Sequence, residues 1–143
     1  VGLGTNPHTL PAFVSHPAGM IASDAILFGE FPNPRTYGCF PIVLAEFVRA
    51  EKHLRLPEAI RKMTSFPAQR LGLPDRGLLR DGFKADIVVF NADTVKATAT
   101  KSDPKQYPVG IDYVVVNGRV VIEDGENTGV LPGRALRRGH SST

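Results

Sequence analysis

Asp24 and Arg35, 11 positions apart, are the residues whose types could do chemistry together. Asp24 closes the short apolar run Met20-Ile21-Ala22. A carboxylate at the C-terminal end of a buried barrel strand stands where barrel enzymes place catalytic groups. In a plain turn the same residue would only be solvated or cap a helix. Arg35 lies in a stretch rich in glycine and proline, with Gly29, Pro32, Pro34, Gly38 and Pro41 around it. A guanidinium there could hold a carboxylate by a bidentate fork, or could simply be an exposed arginine. Tyr37 and Cys39 follow closely, and Cys39 reads as a small packed residue.

Other chemistries find little support. The histidines are His8, His16, His53 and His140, and no two stand at i,i+2 or i,i+4. There is no Cys-x-x-Cys, nucleophile elbow, phosphate loop or dinucleotide fingerprint. Ser15-His16 reads as a polar helix end. A self-contained zinc site needs three or four converging ligands, and none is expected from this set.

The elements that must position Asp24 and Arg35 run helices first, then strands. Asn6-Pro7 suits a helix start, with a short helix expected over 7–15. Met20-Ile21-Ala22 suits a buried strand. Residues 28–41 read as loop because of their turn residues. An amphipathic helix is expected over 41–53, with Val43, Leu44, Phe47 and Val48 inward and Glu46, Arg49 and Lys52 outward. Another begins at Pro57, with Glu58 early and Arg61 and Lys62 late, as the helix dipole favours. A third helical turn, Pro67 to Leu71, ends at Gly72.

After Gly82 the texture becomes β-branched. Ile87-Val88-Val89-Phe90 is one strand candidate. Tyr113-Val114-Val115-Val116 and Val120-Val121-Ile122 flank Asn117-Gly118, a strong hairpin signal. The 92–110 stretch reads as a long surface connection. A lone strand before Asp24 has no partner in this order of elements, so its backbone groups would go unpaired. The chain is therefore expected to be the end of a larger structure.

Bulk properties narrow the classes. The chain has 143 residues, 42% apolar and 22% charged, which is ordinary globular usage and argues against general disorder. No apolar run approaches the roughly 18 residues of a membrane span, so no membrane partner is expected. The net charge of +3 owes much to Arg134, Arg137, Arg138 and His140, a tail without aromatic residues. A nucleic-acid partner is not expected from such a tail. The single cysteine rules out an internal disulfide and is compatible with a cytoplasmic location.

The run Pro34-Arg35-Thr36-Tyr37-Gly38-Cys39-Phe40-Pro41 resembles the P-R-x-Y-G-x-F-P segment of the D-aminoacylase branch of the amidohydrolase superfamily. The resemblance continues through Ala59–Ser65, Pro67–Leu73, Asp75-Arg76-Gly77 and the strand around Ala85-Asp86-Ile87. It extends to Tyr107-Pro108, Val116-Asn117-Gly118 and Pro132-Gly133-Arg134, covering about residues 17–138. It implies an α/β fold: residues 1–80 as the end of a metal-dependent hydrolase (β/α)8 barrel, with its last strand and helices. Residues 81–143 would be the C-terminal strands of a small β-sandwich built from both chain ends.

The resemblance further implies hydrolysis of an N-acyl-D-amino acid, with zinc held mostly by residues upstream. Asp24 would be the catalytic carboxylate near the metal, passing a proton from the attacking water to the leaving amine. Arg35 would hold the substrate's α-carboxylate, with Tyr37 as a further substrate contact. Many relatives carry His-Pro-Arg where this sequence has Asn33-Pro34-Arg35, which bears on the substrate more than on the reaction. A hydantoinase- or dihydroorotase-like hydrolase of cyclic amides is the nearest alternative, and a non-catalytic β-rich interaction module the more distant one. The missing N-terminal part of the same chain is the expected partner, and the segment alone is expected to be inactive.

Overall fold

A computed structural model describes residue 6 and residues 8–136. Pro7, expected to open the first helix, and the basic residues Arg137, Arg138 and His140 lie outside them. Helix α1 (Leu10–Ser15) is short and stops at His16, whose backbone turns extended. Helix α2 (Arg35–Ile42) runs directly into a π-helical stretch, Val43–Ala50. Helices α3 (Leu56–Met63) and α4 (Ser65–Leu71) follow, broken from one another at Thr64. Gly72 takes φ 70° and ends α4 as expected, and the Leu73 N–H returns to the Ala68 carbonyl.

Strands β1 (Ile87–Phe90), β2 (Ile111–Val116), β3 (Arg119–Glu123) and β4 (Glu126–Asn127) form one antiparallel sheet in sequence order. Asn117 and Gly118 both take positive φ, 48° and 75°, as a type I′ turn requires. Asp124-Gly125 repeats the device between β3 and β4. A polar network ties this hairpin to the chain before it. Arg76 bonds to Asp86 and to the Asn117 side chain, and the Asn117 side-chain amide donates to the Pro132 carbonyl.

The core lies mainly in the helices. Val43, Leu44, Leu54 and Ala59 bury together with Val95, and Ile21, Phe90 and Ile111 pack against them. The position of Val95 corrects the expectation of a surface connection over 92–110. That stretch carries a fully buried valine and a bridge between Lys96 and Val109. Arg49, expected to face outward, reaches across and donates to the carbonyls of Ala92 (2.8 Å) and Val95 (3.0 Å).

Three further expectations change. Met20-Ile21-Ala22 forms no strand, because no other segment among the described residues pairs with it. The loop expected through residue 41 gives way to helix at Arg35, just after a turn in which the exposed Asn33 side chain accepts the Arg35 N–H at 3.0 Å, and Gly38 and Pro41 are buried within that helix. The helix expected to reach residue 53 ends at Ala50, and Lys52 reverses the chain with φ 56°.

Candidate functional site

The segment leading to Asp24 is held from three elements. After α1, the Gly19 N–H closes a turn on the His16 carbonyl at 2.9 Å. The Ile21 N–H then donates to the Lys62 carbonyl at the end of α3, at 3.1 Å. On the α2 side, the Cys39 thiol meets the Ala22 carbonyl at 3.5 Å. Asp24 itself sits at φ 47°, the left-handed region that aspartate tolerates better than most residues.

Arg35 and Cys39 are four apart on α2 and so share a face, which is turned to this segment. Arg35 Nη2 donates to Asp24 Oδ2 at 2.6 Å. The carboxylate side chain is 75% exposed and the guanidinium side chain 33% exposed. In that setting the pair adds little to stability, about 0–1 kcal/mol. It does fix an acceptor beside a donor. Arg35 Nε–H is buried and has no partner among the described residues. Burial pushes the Cys39 thiol above the usual range, and the nearby Arg35 charge pulls it partly back.

Asp24, Arg35 and Cys39 line a cleft of about 370 Å³ whose other walls are largely apolar, among them Phe13, Met20 and Ile21. Tyr37 is not part of it. Its ring packs edge-on against Tyr107 at 5.6 Å, joining α2 to the 92–110 connection. The structure thus brings Asp24 and Arg35 together and leaves Tyr37 elsewhere. Among the described residues, no three His, Cys, Asp or Glu side chains converge as a metal site would require.

Two residues of consequence escaped the sequence reading. Lys62 is fully buried, and its ammonium donates to the carbonyls of His16 and Gly19, the latter at 2.9 Å. Its signal was its place three residues after Ala59, on the buried face of α3 and not the solvent face. Arg49 had no such signal, since its partners lie over 40 residues away in sequence.

The model of the amidohydrolase family matches residues 12–122. The chain is 47% identical to an N-acyl-D-aspartate deacylase of Alcaligenes xylosoxydans xylosoxydans over 87% of its length and 25% of that protein's. It superposes on a D-aminoacylase mutant in complex with copper chloride with a TM-score of 0.90 and 36% identity, covering 94% of this chain and 28% of that one. An N-acyl-D-glutamate deacylase of Bordetella bronchiseptica, solved with zinc and a phosphonate inhibitor, gives 0.80 and 38%, over 82% and 25% of the two chains. The chain spans about a quarter of the length of these relatives. With the family model matched over most of its length, the chain belongs to the amidohydrolase family.

Proposed function

We propose that this chain is the C-terminal part of a zinc-dependent amidohydrolase that cleaves N-acyl-D-amino acids to a carboxylate and a D-amino acid. The observation that carries this reading is the Asp24–Arg35 pair lining an apolar cleft. An N-acyl amino acid presents an amide to be cut and a free carboxylate to be held. Asp24 would accept a proton from the attacking water and return it to the leaving amine. Arg35 would orient the substrate through its carboxylate. The deacylase relatives support the substrate class.

The described residues do not by themselves compose a zinc site, so the metal's ligands would come from outside this chain, with Asp24 beside them. Residues 1–80 would close a (β/α)8 barrel, the 20–23 segment serving as its last strand once neighbours are present. Residues 81–143 would be one share of a β-sandwich completed by the other end of the protein. The preceding part of the same polypeptide and a small N-acyl amino acid are the partners in this reading, with no nucleic acid or membrane, and the cytoplasm is the proposed location. No helix among the described residues is long and apolar enough to cross a membrane.

The test is Asp24→Asn in the full-length enzyme. Turnover of an N-acyl-D-amino acid should fall by about 10²-fold or more, the scale of general acid–base assistance, with zinc content little changed. Near-normal turnover would return Asp24 to an ordinary turn residue.

A further inference from the structure

Lys62 is the only charged residue among those described as buried, and nothing in the proposed chemistry uses it. Its side chain is 0% exposed, and its nearest carboxylate oxygen, Oε1 of Glu58, is 4.0 Å away. A buried ammonium is costly unless its donors are matched. Here the matches are two backbone carbonyls, His16 and Gly19, in the turn that precedes the Asp24 segment. The same residue's own carbonyl receives the Ile21 N–H. Side chain and backbone of one residue therefore grip both ends of residues 16–21. Beyond Ile21 only two residues separate this grip from Asp24, so Asp24 has little freedom to drift.

The turn has no slack. A Cβ on Gly19 would stand 2.6 Å from the Phe13 carbonyl oxygen and 3.1 Å from that of His16. Arg61, the neighbour of Lys62, adds only a long contact, 3.4 Å, to the Pro17 carbonyl and otherwise pairs with Glu58. The ammonium is thus the principal side-chain anchor of this turn on α3.

We propose that Lys62 is a positioning residue for Asp24, holding the His16–Ile21 segment so that the carboxylate stays beside Arg35 at the cleft. This rests on the reading of Asp24 as the proton carrier. It predicts that Lys62 acts on the reaction through Asp24 and not through substrate binding.

The experiment is a double-substitution cycle in the full-length enzyme: Lys62→Met, Asp24→Asn and both together. Methionine keeps the buried length and removes the donors. Lys62→Met should lower kcat by about 10-fold or more with KM little changed, since a misplaced catalytic group costs turnover first. In the Asp24→Asn background the same substitution should add less than about 3-fold, because the two act as one unit. Gly19→Ala, which displaces the same turn while leaving the lysine side chain in place as a residue, should reproduce this pattern, and it replaces Lys62→Met if that variant fails to fold. Hydrogen exchange over residues 17–24 should quicken in either variant while α4 stays protected. A full, multiplicative loss in the Asp24→Asn background, or unchanged kcat, overturns the proposal. If Asp24→Asn alone retains activity, the reading of the site fails instead, and unchanged exchange over 17–24 would separately refute the anchoring role.

Discussion

The helical half and the sheet are incomplete in opposite ways. The helices own most of the buried apolar side chains, Val43, Leu44, Phe47, Ala59 and Ala68, with Leu54 in the bend before α3. Yet among the described residues the segment carrying Asp24 pairs with no strand, and Ile26, Leu27, Phe28 and Phe31 beyond it are 55–86% exposed. The sheet pairs its backbone across four strands, but none of its side chains is fully buried, and Val88 and Val89 are about half exposed. Hydrogen bonding and burial are separate requirements, and a stable layer needs both. The half that lacks strand pairing is the half that carries the candidate site. On the proposed reading, the neighbours that would complete it are also those that would bring the metal.

The comparison breaks most visibly in hydrogen exchange. In the 143-residue chain, amides over 22–28 should exchange near the rate of an open loop. In the full-length enzyme they should slow by about 10²-fold or more as a ladder forms, while amides of β2 and β3 are protected in both. Equal protection of 22–28 in the two proteins would mean that no strand partners lie outside this chain.

Stability substitutions sharpen it further. Leu44→Ala should cost about 2–5 kcal/mol, the range for truncating a buried leucine. Asn117→Ala should cost less, about 1–3 kcal/mol, through the bonds it makes to Arg76 and Pro132 and through its positive φ. Both are read from urea midpoints of the full-length enzyme at constant m. A reversal of that order would place the main stabilising contacts in the polar hairpin and not in the helical core.

What could be read from sequence was what is local. Asn117-Gly118 between β-branched runs announces its hairpin, since the turn's positive φ values select those residue types. Gly72 announces the end of α4 for the same reason. The start of α2 was hidden because Gly38 and Pro41 are breakers by type, whereas here both are buried within the helix. Gly38 is where α2 meets Ala97, whose side chain would stand 2.7 Å from an added Cβ. That is a contact 59 residues away in sequence, beyond any local pattern. For the site, residue types suggested Asp24 and Arg35 only as options, and the family resemblance gave them roles. The structure adds their contact. Tyr37, expected as a further substrate contact, packs on Tyr107 in this chain, since two residues along a helix point to different sides. Lys62 was read as a dipole partner because its type is usually solvated.

The most direct test of the central claim separates the two jobs available to Arg35. It touches Asp24 in the structure, and in the proposed reaction it holds the substrate carboxylate. The measurement is kcat/KM for an N-acyl-D-amino acid and for its carboxamide, in the full-length enzyme and in Arg35→Ala and Arg35→Lys. If Arg35 reads the carboxylate, Arg35→Ala should weaken use of the acid by roughly 2–5 kcal/mol and cost the carboxamide much less. Lysine should recover only part of the loss, since an ammonium cannot form the planar fork. Equal losses for acid and carboxamide would contradict the account, because Arg35 would then serve only to place Asp24.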